Sequence, residues 1–109
     1  MTRAMETAAA RNGGRVEIAW TREYGAFRFE DDDPLLELVA AACRDCGVTP
    51  RRFPTGGGSD GNILSEKGVP TLVLACGMSD VHGTSETLKV AHLSEMVELL
   101  LAIVRRARS

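Results

Sequence analysis

Two stretches of this sequence hold residues that could do chemistry. The first, TGGGSDGNILSEKGVP from Thr55 to Pro70, sets three glycines before a Ser-Asp pair and a short amphipathic run. Glycines in series cost backbone entropy, which points to a place where something comes close to the main chain. Free N–H groups at a helix start can receive a phosphate or a carboxylate. A plain turn with a Ser59 or Asp60 cap is the simpler alternative. The second stretch, GMSDVHGTSE from Gly77 to Glu86, holds His82 with Asp80, Ser85 and Glu86 close by. A neutral imidazole there can ligate a metal or act as a general base. A loop histidine bonded to a backbone carbonyl would do neither.

Several chemistries can be weighed on these residues. Gly56, Gly58 and Gly61 match G-x-G-x-x-G, with Asp80 further on, the skeleton of a dinucleotide-binding fingerprint. That fingerprint needs an apolar strand before it, yet Arg51, Arg52 and Pro54 stand there. It also needs a full crossover helix, and Gly68 stops this one early. A Ser–His–Asp triad can be written with Ser59 or Ser85, but no nucleophile elbow supports it. A hydrolytic zinc site needs at least three protein ligands and a base, and nothing in the chain completes one around His82.

The cysteines point elsewhere. Cys43 and Cys46 form CRDC, a spacing shared by redox and zinc motifs. Low-pKa cysteines sit at helix N-termini, whereas this pair closes a helix ahead of Gly47, where the dipole disfavours thiolate. Leu35, Val39, Ala42, Cys43 and Cys46 make one apolar stripe at helical spacing, so the pair reads as core.

The elements that must position these residues are legible in outline. Residues 2–12 read as a helix stopped by Gly13 and Gly14. Residues 15–21 alternate as a half-buried strand, extended past a bend at Gly25 by Tyr24, Phe27 and Phe29. EDDDP then acts as a solvated hinge, with Asp33 capping a helix over 34–46 and Pro34 as its first residue. Val48 to Phe53 is a weak strand. TLVLA at 71–75 reads as a strand buried on both faces, as in a parallel sheet. Residues 76–90 form a loop beyond the carboxyl end of that strand, where open sheets bind ligands. A long helix over 91–106 follows, with Leu93, Met96, Val97, Leu100, Ile103 and Val104 expected on its buried face and His92 on the solvated side. The alternation from residue 34 onward means an α/β fold.

Composition excludes some functions. The net charge of −2 gives no electrostatic reason to expect nucleic acid. No apolar run approaches the ~20 residues that span a bilayer. The start, MTRAMETAAARNGG, lacks the apolar core of a signal peptide, so a cytoplasmic protein is expected. With 109 residues the chain has room for a modest core, and its first thirty residues form no stable unit alone.

The stretch TGGGSDGNILSEKGVPTLVLACGMSDVHGTSE resembles the C-terminal part of the dinuclear-zinc peptidases grouped with peptidase T and carboxypeptidase G. It is nearest to the peptidase T-like branch. The resemblance implies a fold of two parts. Residues 1–30 would be the last helix and strand of an inserted lid domain, and residues 31–109 the C-terminal part of a catalytic domain with a mixed sheet flanked by helices. It implies two zinc ions, with His82 as the last metal ligand. Gly57, Gly58, Ser59, Asp60 and Asn62 would border the substrate cleft. Zinc-bound water would attack the scissile carbonyl of a small peptide or N-acyl amino acid, and a glutamate would take its proton.

The other ligands and that general base are expected upstream of Met1, so no catalytic residue is expected in this chain, which reads as an inactive C-terminal fragment. The family commonly continues from the histidine with Thr-Thr-Asp-Glu, and Gly83 and Ser85 here are expected to loosen that turn. The alternatives are a stand-alone interaction module that dimerises through the strand at 15–21 and, behind it, a nucleotide-binding domain.

Overall fold

The computed structural model describes residues 1–108 and contains four helices: α1 (Thr2–Arg11), α2 (Pro34–Asp45), α3 (Asp60–Glu66) and α4 (Val90–Ala107). Each helix boundary has a local cause. Pro34 opens α2, and the Asp33 carboxylate accepts from the Leu35 N–H at 2.8 Å, as its composition demands. At the other end Gly47 takes φ +69°, which lets Val48 N–H reach the Cys43 carbonyl at 2.8 Å and Gly47 N–H reach Arg44 at 3.0 Å. This closing motif recurs at Gly68 after α3, with Val69 bonding Leu64 at 2.9 Å. It is why α3 stops after two turns.

α2 and α4 pack on each other, and their contact is the core. Ala42, Cys43 and Leu99 are buried, with Val39, Cys46, Met96, Ala102 and Ile103 packed around them. Cys43 and Cys46 thus serve as packing groups. Burial pushes the Cys43 thiol up, reinforced by Cys46 and partly offset by Arg44. The helix pair is tied at its far end by Arg106, whose Nε and Nη2 reach the two Asp45 oxygens at 2.5 and 2.7 Å. Those hydrogen bonds hold the Asp45 carboxyl below its ordinary range.

The buried face of α4 differs from expectation. Met96 and Ile103 face α2, but the row is completed by Leu99 and Ala102. Leu93, Val97, Leu100 and Val104 lie on the other side and are about half exposed. The helix carries apolar residues on both faces, and α2 covers only one of them. Spacing alone cannot tell which stripe meets this neighbour.

The expected mixed sheet is not formed. Among the described residues there is no strand, only one isolated antiparallel bridge between Ser79 and Thr87. The TLVLA run does not form the doubly buried strand expected of it, and its Val73 is 51% exposed. Segments 15–21 and 48–53 likewise have no ladder. A ladder needs a second strand ~4.8 Å away, and none of these segments pairs with another. The surface records the same fact. It measures 9131 Å², roughly one and a half times the ~5,900 Å² expected of a folded monomer of this mass. The radius of gyration is 19.8 Å, against ~13 Å for a compact domain of this length.

The N-terminal segment is tied down at a few points. Trp20 Nε1 donates to the Thr2 hydroxyl at 2.8 Å, laying residues 15–21 back along α1. In the acidic stretch, Asp31 pairs with Arg52 at 3.1 Å on the surface. No helix among the described residues is long and apolar enough to cross a membrane.

Candidate functional site

The glycine loop and α3 form the first part of the site. Ser59 is the N-cap residue, extended at φ −150°, and its N–H donates to the Asn62 side-chain oxygen at 2.9 Å. Gly57 N–H donates to the Thr55 hydroxyl at 3.2 Å. Two of the loop's donors are therefore satisfied inside it. The Gly58 N–H has no partner among the described residues. Residues 55–60 are exposed, whereas Gly61 and Asn62 are buried.

The structure supplies a reason for one of the glycines. A Cβ on Gly58 would collide with the hydroxyl end of the Tyr24 ring, which lies against this backbone. Around Gly56 and Gly57 the space is open or nearly so. Of the three consecutive glycines, then, Gly58 answers to a close approach, and the other two leave an accessible backbone.

Asn62 is only 8% exposed and joins two parts of the chain. Its oxygen takes the Ser59 N–H, and its nitrogen donates to the Gly25 carbonyl at 2.8 Å. Both ends of the amide are thus engaged within the protein. Arg22 and Glu66 form an exposed ion pair at 2.9 Å over the same junction. Asp60, in the first turn of α3, is exposed.

The His82 loop is the second part. Ser79 and Thr87 close it through two backbone hydrogen bonds at 3.0 and 3.1 Å. Asp80 and His82 both adopt left-handed backbone, at φ 52° and 67°. His82 N–H donates to the Glu86 carboxylate at 2.7 Å, which gives Glu86 the task of holding the turn. Gly83 N–H donates to the Asp80 carbonyl at 2.8 Å, and a Cβ on Gly83 would stand 2.9 Å from that oxygen. Lacking a Cβ, Gly83 leaves room for the Asp80 carbonyl inside the turn. The His82 ring is exposed and makes no hydrogen bond among the described residues.

Left-handed backbone on a non-glycine residue costs of order 1–3 kcal/mol and collects at functional sites. Asn tolerates this conformation and β-branched residues do not. His82→Asn should therefore leave the urea midpoint of the chain unchanged, whereas His82→Val should lower stability by about 1–2 kcal/mol. Equal stability of the two variants would mean that the turn relaxes in solution.

Sequence reasoning missed three participants. Tyr24 was read only as part of a strand, yet it packs on Gly58. Glu86 was a neighbour of His82 without a task. His92, expected in solvent, is half-buried, and its Nδ1 lies 3.3 Å from the Gly77 carbonyl at the entrance to the His82 loop. No local signal in the sequence marks Tyr24 or His92, because each acts across a long chain separation.

No hydrogen bond or ion pair joins the glycine loop to the His82 loop among the described residues. Nor do these residues gather three or more His, Cys, Asp or Glu side chains into a group able to hold a metal.

Comparison with known proteins shows the family of the chain. The profile of peptidase family M20/M25/M40 matches residues 3–106, so the chain belongs to that peptidase family. Within the family its likeness is to the peptidase T branch. Peptidase T from Exiguobacterium sibiricum is 36% identical over 96 residues, covering 85% of this chain and 23% of that protein. The uncharacterised protein YqjE of Bacillus subtilis is 34% identical over 107 residues, covering 98% of this chain and 29% of its own length. The backbone superposes on a crystal structure of the aminopeptidase PepT from Bacillus cereus with a TM-score of 0.79 at 34% identity. A tripeptidase from Staphylococcus aureus gives 0.82 at 28% identity. In both, the match covers 99% of this chain and 29% of the other. The chain thus spans less than a third of the length of these relatives, and it follows their backbone closely.

Proposed function

We propose that this chain supplies part of the substrate wall and one metal ligand of an exopeptidase or amidohydrolase. Its substrates are small peptides, as the names aminopeptidase and tripeptidase of the two structural relatives suggest, or the related N-acyl amino acids. The remaining ligands and the general base come from polypeptide outside these 109 residues. On this reading residues 1–30 close a lid domain and residues 31–109 belong to the catalytic domain, where His82 would help to hold one of two zinc ions. One observation carries the reading: an exposed histidine held in left-handed backbone by a carboxylate, on a chain that matches peptidase T-type structures throughout.

The residues present have definite tasks. His82 presents a ring nitrogen lone pair from a turn fixed by Glu86, so little ordering is left for the moment of binding. When bound, a zinc ion supplies Lewis acidity and an activated water. Gly58 N–H, an unpartnered donor of the loop, meets the substrate's carbonyl or terminal carboxylate. Gly57, Ser59 and Asp60 shape the wall on either side, and Asn62 holds it from behind.

The test is a graft. This chain replaces the matching segment of Bacillus cereus PepT, and folding is confirmed by circular dichroism. The folded graft is expected to hydrolyse a tripeptide and to lose that activity with His82→Ala. The purified 109-residue chain is expected to hydrolyse none. A folded graft without activity, or with activity indifferent to His82, would sink the reading.

A second reading is favoured by the large surface and by the unpaired segment 15–21. The chain could act as an interaction module, two copies pairing edge to edge through that segment. Sedimentation equilibrium separates the two: a tight homodimer supports the module, a monomer the catalytic part.

A further inference from the structure

We propose that Asn62 is a positioning residue that sets the glycine loop by clamping it to the chain segment at Tyr24–Gly25. The proposal rests on the glycine loop being a substrate wall, but its geometry can be tested without a substrate. Asn62 is the buried polar side chain among the described residues, and its two ends go to different places. The oxygen fixes Ser59 N–H at 2.9 Å, which sets the loop's exit into α3. The nitrogen fixes the Gly25 carbonyl at 2.8 Å, 37 residues away in sequence. Tyr24, next to Gly25, lies against Gly58 on the same side. One amide therefore sets the distance between the loop and the aromatic ring that backs it.

The consequence for the loop is directional. With Ser59 N–H taken by Asn62 and Gly57 N–H by Thr55, the glycine donors left for a ligand are Gly56 and Gly58. The Tyr24 ring covers one side of Gly58. Asn62 thereby withdraws Ser59 N–H from the donors the loop offers and fixes where Gly58 sits against the ring. A movement of residues 22–25 would carry the loop with it, since a buried amide without its partners is costly.

The discriminating variant is Asn62→Asp. A protonated carboxyl keeps one acceptor and one donor, so it can still bridge Ser59 N–H and the Gly25 carbonyl. A carboxylate cannot donate and would face the carbonyl oxygen with like polarity. Burial raises the pKa of such a carboxyl, which brings the switch into an accessible range. The charged groups around it are Asp60 in the same turn and the Arg22–Glu66 pair over Gly25.

The experiment is NMR on the full chain, wild type and Asn62→Asp, from acid to neutral pH. Three signals are followed: the ring-current shift of the Gly58 Hα protons, hydrogen exchange at Ser59 N–H, and the Leu99 methyl shifts as a control for the α2–α4 core. In the wild type the Gly58 shift is expected to be constant with pH. At neutral pH the variant should lose it and exchange Ser59 N–H about tenfold faster, the worth of one hydrogen bond. Both should recover as the carboxyl protonates, with Leu99 unmoved throughout. A Gly58 shift retained at neutral pH would overturn the proposal, since Tyr24 alone would then hold the loop. Loss without acid recovery would equally overturn it, as would collapse of the Leu99 signals in step with Gly58, which would make Asn62 a general stability element. Failure here leaves the peptidase reading standing, because that is decided by the graft's activity.

Discussion

Leu99→Ala should remove most of the cooperative unfolding signal of the α2–α4 pair, while Leu100→Ala, one residue on, should hardly change it. Leu99 is 9% exposed and stands in a buried cluster with Ala42 and Cys43. Deleting a buried leucine costs about 2–5 kcal/mol through lost transfer energy and the cavity left behind. The core here is small, so little else can compensate. Leu100 is 47% exposed on the uncovered side of α4, and surface truncations usually stay within about 0.5 kcal/mol. Urea titration followed by far-ultraviolet circular dichroism reads both. Equal effects would mean that the uncovered stripe finds a partner in solution.

The second large effect is expected at Gly58. Gly58→Ala places a methyl group where the Tyr24 ring lies, so ring or loop must move. Overpacking of this kind costs about 1–3 kcal/mol. In the active graft a loop displaced in this way is expected to lower kcat/KM by roughly ten- to a hundredfold, because small misplacements of substrate-positioning groups cost about that much. Adding Tyr24→Ala opens the space again, and the double variant should recover most of the loss. The pair forms a double-mutant cycle, so the recovery measures the contact itself. A silent Gly58→Ala would remove the glycine loop from the substrate wall. A loss that Tyr24→Ala does not repair would place the cause in the loop's own backbone.

How much of this was legible in the sequence depends on the reach of each signal. Helix boundaries were, because Asp33-Pro34, Gly47 and Gly68 act within a few residues of themselves. The packing role of Cys43 followed from its place at a helix C-terminus. The stripe on α4 was misassigned because the helix is apolar on two sides, and spacing cannot say which side meets α2. The sheet failed for a related reason. TLVLA has the composition of a buried strand, yet a strand is a relation between segments, and no segment among the described residues pairs with it. The family was visible in GGGSD and the His82 segment, both local patterns. Tyr24 on Gly58, the Asn62 bridge and the His92 contact join residues far apart in the chain. Only coordinates reveal them.

The large surface has a consequence for calorimetry. The heat-capacity change of unfolding follows the apolar area newly exposed, about 12–15 cal/mol/K per residue for an ordinary domain. A chain that already shows 9131 Å² in its folded form has less left to expose. Its stability should therefore bend only weakly with temperature, and its denaturant slope should be shallow for its length. Cooling would weaken it less than most domains, and heating would melt it over a wide span.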